Sequence, residues 1–182
     1  VTNDYLMGTK FFDTEGNLII SGGKTVKLVT GFNLNGIMVS SEGLLGVMVE
    51  HIMKIVPPPA ASKAMMVTFD DIINACRSVS EIIANKVTPA TLELMDSFTI
   101  KTVEEGSKIG LPTTADGLLL IEVDGHPAAV EDEFQIVKKI CEDLGGQVQV
   151  ANNAEERDKV WEARRKALSS LARLRPTLIL ED

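Results

Sequence analysis

Residues 23–59 read GKTVKLVTGFNLNGIMVSSEGLLGVMVEHIMKIVPPP, and the rest of the chain divides according to how this stretch is read. It opens on a basic turn and sets Thr30-Gly31 and Asn35-Gly36 at intervals. It then passes through Ser40-Ser41-Glu42-Gly43-Leu44-Leu45-Gly46 into the apolar ladder Val47, Val49, Ile52, Ile55. Glycine has no Cβ and tolerates positive φ, so Gly43 and Gly46 allow a backbone to approach something flat or phosphorylated. The same residues also describe a tight turn feeding a strand. Pro57-Pro58-Pro59 cannot continue a hydrogen-bonded ladder and favours a stiff, extended segment, so a domain boundary is expected there, giving residues 1–59 and 60–182.

Upstream, Tyr5 to Ile20 reads as a hairpin around Asp13-Thr14-Glu15-Gly16-Asn17. Past the prolines the pattern turns regular. A strand at 64–69 leads to a helix capped by Asp70, with Ile72, Cys76, Val79 and Ile83 on its apolar face. A strand at 91–95 leads to a helix capped by Asp96 and stopped by Gly106. Leu118 to Val123 is apolar without interruption, as expected of a central strand covered on both faces. Pro127 suits the first turn of a helix that reaches Leu144, presents Val130, Phe134, Val137, Cys141 and Leu144 on one face, and is stopped by Gly145-Gly146. A strand at 147–150 follows, then a last helix opened by an Asn153/Glu156 capping box, and Thr177 to Leu180 closes the chain as a strand. Strand, helix, strand thus occurs twice, which predicts an α+β fold of ferredoxin-like type, an antiparallel sheet with helices on one face.

Composition narrows the function. Hydrophobic residues make up 45% of the 182, enough to bury a core, and no apolar run is long enough to span a bilayer. The formal charge is −8 and the basic residues are scattered, so a polyphosphate duplex is repelled and nucleic acid is not expected as a partner. Cys76 and Cys141 lie far apart and read as structural thiols. His51 and His126 have no partner at ligand spacing, so no metal site is expected from this chain.

The last helix carries the residue with the sharpest chemistry. At about 100° per residue, Val160, Ala167, Leu171 and Leu174 fall near one line, and Arg164 lands among them. A guanidinium in that position must snorkel, pair with a carboxylate or await an anionic ligand. On the residues alone a structural ion pair and a ligand contact are equally good accounts. Glu42 is expected to bond the amides of its own turn, Met65, Met66 and Met95 to fill core, and Glu131-Asp132-Glu133 to occupy a first helical turn.

Two phrases in the opening stretch, Lys27-Leu28-Val29-Thr30-Gly31-Phe32-Asn33-Leu34 and Ser40-Ser41-Glu42-Gly43-Leu44-Leu45-Gly46-Val47, carry a family resemblance. They resemble the closing part of the FAD-binding domain in the FAD-linked oxidases that include the glycolate oxidase FAD subunit, D-lactate dehydrogenases and D-2-hydroxyglutarate dehydrogenases. Phe32, Asn33, Ser40 and Leu44 depart from that family's tyrosine, aspartate, glycine and threonine, each removing or altering a polar group, so contact with a flavin at those points is expected through the backbone. Thr91 to Asp96 and Trp161 to Lys166 resemble the family's E-L-M-D and W-x-x-R phrases.

The resemblance implies that residues 1–59 end a PCMH-type FAD-binding domain and that residues 60–182 are most of a substrate or cap domain. It implies FAD as cofactor, with Thr30, Gly31, Ser41, Glu42, Gly43, Gly46 and Val47 against it, and Arg164 on the carboxylate of a 2-hydroxy acid. Oxidation of glycolate or D-lactate is then expected, with hydride passing to flavin and on to an electron-acceptor subunit. A homo-oligomer and a cytoplasmic location, peripheral to a membrane through partner subunits, go with it, and the catalytic base is left unassigned. The family's pyrophosphate loops and histidine-rich metal motif are expected outside residues 1–182, so this chain by itself is expected neither to hold FAD tightly nor to turn over. A reading of another class remains open: a ferredoxin-like module that binds a small ligand or regulates, without catalysis.

Overall fold

The computed structural model describes residues 2–174. Contacts within the chain gather into two compact units, Val1–Pro58 and Pro59–Asp182. The strand expected at Thr177–Leu180 lies outside the described residues.

The first unit contains α1 (Thr2–Tyr5), β1 (Leu6–Phe12), β2 (Leu18–Gly22), α2 (Leu34–Met38) and β3 (Val47–Met53). Its sheet runs β2-β1-β3, antiparallel throughout. The hairpin turn is organised by Asp13, whose Oδ1 accepts from the backbone N–H of Asn17 at 2.8 Å and of Glu15 at 2.9 Å. The Asn17 backbone and side-chain amides hold the Asp13 carboxyl below its usual range. Central β1 buries Thr9 and Phe11, and α2 lays Met38 on the β1/β2 side. β3 is a single strand that stops four residues before Pro57, and it exposes Val47, Val49 and Met53. Little of this unit is closed off: Ile20, Val26, Val29 and Phe32 are also exposed.

The second unit contains β4 (Ala61–Phe69), α3 (Ile72–Ala84), β5 (Thr91–Asp96), α4 (Ser97–Ser107), β6 (Gly117–Gly125), α5 (Pro127–Asp143), β7 (Gln147–Val150) and α6 (Ala154–Ala172). Its sheet order, β5-β6-β4-β7, is antiparallel and ferredoxin-like, with β6 and β4 in the centre. Strand alternation then sorts the side chains. Met65, Val67, Phe69, Leu119, Ile121 and Val123 join one core with Ala75 and Ile82 of α3 and Val130, Phe134 and Val137 of α5. Leu118, Leu120 and Met95 face the other way and pack with Ile100 of α4 and Ala163 of α6. Each fully buried Leu or Ile in such a layer stabilises the fold by about 1.5–3 kcal/mol. The α3/α5 layer is the one expected from sequence. The opposite face carries helices as well, α4 and α6, where the sequence led us to expect none.

Several local expectations change. α3 is capped by Asp71, whose Oδ1 accepts from Ile73 N at 2.9 Å, and its inward face is Ala75, Ser78, Ile82. Cys76 and Ile83 are exposed. Small residues face inward because Gly117 of β6 comes close: a Cβ there would stand 3.1 Å from Ala75 Cβ. Asp96 does cap α4, accepting from Thr99 N at 2.8 Å, but the helix continues through Gly106 to Ser107 and ends at left-handed Lys108. Gly106 marks where α4 meets α6, since a Cβ on it would run into the Arg173 guanidinium and lie 3.2 Å from Ser170 Oγ. His126 caps α5, its Nδ1 facing Ala128 N at 3.4 Å. Glu131 to Glu133 lie beyond the first turn, and Glu131 pairs with Lys63 of β4, which holds its carboxyl below the usual range. The Asn153/Glu156 box forms, with Asn153 Oδ1 accepting from Glu156 N at 2.9 Å. Both cysteines are free. Burial, reinforced by the Glu142 carboxylate, pushes the Cys141 thiol up to about 11, with the Ser78 hydroxyl pulling part of the way back.

Candidate functional site

In the first unit, the segment between β2 and α2 overhangs an open cleft of about 840 Å³. Thr30 and Gly31 line it, along with Gly22, Asn35 and Lys54. Gly22 and Gly31 have φ of +74° and +78°, so the chain passes with its backbone bare. At Gly22 any Cβ would strike Met7 O and the Asn35 amide, which is why this crossing takes glycine. Asn35 Nδ2 donates to Met7 O at 3.0 Å, while its Oδ1 is buried without a partner.

The other five residues expected against a cofactor lie elsewhere. Ser41, Glu42, Gly43 and Gly46 belong to the turn between α2 and β3, Val47 opens β3, and none of the five lines the cleft. Val47 pairs with Phe12, and a Cβ on Gly46 would stand 2.6 Å from Phe12 O. The cleft instead uses Leu6 and Met7, at the other end of the seven-residue β1. Gly46 and Val47 therefore stand about 20 Å along that strand from the cleft, at 3.4 Å per residue. Glu42 is exposed at φ +51°, and no turn amide donates to its carboxylate, contrary to expectation. Ser40 also has positive φ, at +63°. A non-glycine residue in this region costs on the order of 1–3 kcal/mol, a strain often found where a turn serves a ligand. Ser41 Oγ is buried with no partner.

Whether these residues fit FAD can be judged from those atoms. Among the described residues, the buried side-chain N and O atoms lacking a partner are Asn35 Oδ1 and Ser41 Oγ, and both belong to the 23–59 stretch. A bare backbone at Gly31, an unspent acceptor at Asn35 and the Lys54 ammonium suit one part of an extended dinucleotide. Ser41 and the open space around Gly43 suit a second contact further along it. The residues present fit part of the group.

In the second unit, Arg164 does not occupy the buried side of α6. Ala163 and Ser170 face inward, and Arg164 is exposed. The helix turns Ala163 and Ser170 inward, which at about 100° per residue is roughly 60° round from the line expected through Val160, Ala167, Leu171 and Leu174. The Arg164 Nε donates to Glu93 Oε1 of β5 at 2.5 Å, with the two side chains 52% and 35% exposed. Its Nη1 and Nη2 have no hydrogen bond or ion pair among the described residues. The family's two phrases, Glu93 to Asp96 and Trp161 to Lys166, thus meet in one ion pair. Neither residue lines the small cavity of about 110 Å³ bounded by Met66, Leu111 and Gln149.

The surroundings of that pair were not legible from spacing. Register puts Glu93 opposite Leu120, Thr91 opposite Glu122, Ala64 opposite Glu122 and Ser62 opposite Asp124, all on the α4/α6 face. That face is apolar where Leu118, Leu120 and Met95 lie and polar at Ser62, Thr91, Glu93, Glu122 and Asp124. Arg157, two turns before Arg164, donates from Nη1 to Ser62 Oγ at 3.1 Å. The signal was present as alternating polar residues in β4, β5 and β6, but only the register aligns them.

The profile of the FAD linked oxidases, C-terminal domain, matches residues 58–182, and the chain belongs to that family. The glycolate oxidase subunit GlcD of Bacillus subtilis (strain 168) is 45% identical over 100% of this chain and 39% of its own length. GlcD of Escherichia coli (strain K12) is 33% identical over 84% of this chain and 31% of its own length. A probable mitochondrial D-lactate dehydrogenase of Danio rerio is 25% identical over 89% of this chain and 33% of its own length. The chain therefore spans about two fifths or less of these relatives.

Among solved structures, alkyldihydroxyacetonephosphate synthase superposes with a TM-score of 0.66 at 18% identity, over 95% of this chain and 34% of its own. p-Cresol methylhydroxylase with substrate bound gives 0.66 at 13%, over 86% and 37%. Both show likeness of fold. Within the described residues, no helix is long and apolar enough to cross a membrane.

Proposed function

We propose that this chain is part of an FAD-dependent oxidoreductase that oxidises a D-2-hydroxy acid, with glycolate and D-lactate as representative substrates. Residues 1–59 are the end of the FAD-binding domain and residues 60–182 most of the substrate cap. Arg164 carries the reading. Its Nε is held by Glu93 and its two Nη groups have no partner among the described residues, which leaves the planar fork that meets a carboxylate end-on.

Bound flavin supplies the acceptor for the two electrons that leave the hydroxyl-bearing carbon. This chain's residues bind and orient: Thr30, Gly31 and Asn35 along one part of the cofactor, Ser41, Glu42, Gly43, Gly46 and Val47 along another, and Arg164 on the acid's carboxylate. The base that takes the hydroxyl proton is not assigned to any residue here. A subunit that passes electrons onward, association into oligomers and a cytoplasmic location, peripheral to a membrane through partner subunits, belong to the same proposal; the name of the GlcD relatives, an oxidase subunit, supports the first.

The test is steady-state kinetics of Arg164→Ala and Arg164→Lys in the intact flavin-loaded protein with glycolate and D-lactate. A charged hydrogen bond is worth about 1.5–3 kcal/mol, so KM is expected to rise about tenfold or more for Arg164→Ala. Arg164→Lys is expected to recover only part of that, because a point charge cannot fork. Unchanged KM and kcat in both variants would remove Arg164 from the site.

A further inference from the structure

Arg164 has four rotatable side-chain bonds and stands on the exposed side of α6, so left to itself it samples many orientations. Among the described residues, one group restrains it. Glu93 belongs to β5, hydrogen-bonded to central β6 with Glu93 opposite Leu120, whose exposure is 0%. The neighbour of Arg164 on α6, Ala163, is equally buried in the core under that face. Both partners therefore project from anchored backbone. The bond uses Nε and a single carboxylate oxygen, at 2.5 Å, which fixes the guanidinium plane from its side and leaves the Nη edge open.

An exposed ion pair of this kind contributes little to stability. A carboxylate beside an anion-binding arginine also lowers the net attraction for that anion. Neither consideration favours keeping an acid at this place, whereas orientation does. The polar half of the same face, Thr91, Glu93, Glu122 and Asp124, is likewise unlike a sheet surface built only to pack helices.

We propose that Glu93 is a positioning residue: it presets the guanidinium of Arg164 so that the two Nη groups meet the substrate carboxylate in one orientation. This rests on the reading of Arg164 given above. With the fork held in advance, less side-chain freedom is lost on binding, and affinity rises without a new contact to the acid. Glu93 acts through Arg164 and touches no reacting atom.

The experiment is a double-mutant cycle in the intact flavin-loaded protein, with D-lactate as substrate and oxalate as an unreactive competitor whose binding is followed by the flavin absorbance. Glu93→Ala is expected to raise KM and the oxalate Kd about five- to tenfold with kcat within about twofold, and Glu93→Gln, which keeps an acceptor oxygen, to lie between it and the parent. In an Arg164→Ala background, Glu93→Ala is expected to change nothing further. If Arg164→Ala weakens binding but neither Glu93 variant does, or if Glu93→Ala adds its full effect in that background, the positioning role is overturned while the reading of Arg164 stands. Should Arg164→Ala itself leave KM and the oxalate Kd unchanged, that reading fails and the role of Glu93 falls with it. A thermal melt of each variant accompanies the kinetics, and the Gln variant carries the test if the Ala variant does not fold.

Discussion

Ser41 shows how one side chain can be read twice. Its hydroxyl is buried and unpartnered, in a turn whose neighbours Ser40 and Glu42 both have positive φ. A buried hydroxyl left unpaired costs on the order of 1–3 kcal/mol, so it is poorly explained as a purely structural group. Ser41→Ala is expected to leave the thermal midpoint of the flavin-free protein unchanged or slightly raised, and to weaken flavin retention about two- to tenfold, the range of one net hydrogen bond. The measurement is flavin dissociation followed by fluorescence, together with the flavin-free melt. Equal flavin affinity in parent and variant would mean that the turn does not use this hydroxyl. Arg164 teaches the converse. Its type and its phrase were readable in sequence, but its burial was not, because helical phase depends on which small residues, here Ala163 and Ser170, the partner helix admits.

At the scale of elements, close approach decides where glycine and alanine stand. Gly146, between α5 and β7, lies so near the core that an added Cβ would stand 2.6 Å from Val67 Cγ1, 2.8 Å from Phe69 Cζ and 2.8 Å from Cys141 O. One contact is backbone and two are packed core, so relief requires moving β7 or the end of α5. Gly146→Ala is therefore expected to destabilise the second unit by about 1–3 kcal/mol, the usual cost of overpacking. Chemical denaturation followed by circular dichroism checks it, and a shift smaller than about 0.5 kcal/mol would show that β7 yields freely. Gly106 is the softer case, since its Cβ would meet the movable end of Arg173. Sequence reads both glycines as helix stops. After α5 the left-handed stop falls on Gly145, at φ +84°, and the close approach on Gly146; for Gly106 the helix continues and only the crossing with α6 explains the residue.

Across the whole molecule the two units differ in how much they bury. The second has two cores, one on each face of β6. The first buries little beyond Thr9, Phe11 and Met38, and it exposes Ile20, Val26, Phe32, Val47 and Ile55. Local opening follows buried apolar contact, so amide hydrogen exchange is expected to be slowest in β6 from Leu118 to Val123 and much faster in β3. A hundredfold or larger difference in protection between those strands is the expected outcome, about 3 kcal/mol of opening free energy. Equal protection would indicate a first unit far better packed than its described residues show.

The sequence by itself determined the order and type of nearly all elements, the central place of Leu118 to Val123, the caps at Asp96 and Asn153, and the family phrases. These follow from periodicity of 2 and 3.6, from capping chemistry and from turn residues, all of which act over a few positions. Only the tertiary structure decided that α4 and α6 cover the second face of the sheet, that Thr30 and Gly31 part from the Ser41 to Val47 turn, and that Arg164 meets Glu93. Those pairings join residues far apart in the chain, 71 positions for Arg164 and Glu93, through strand register and helix phase. Both are set by how whole surfaces fit, which no local spacing records.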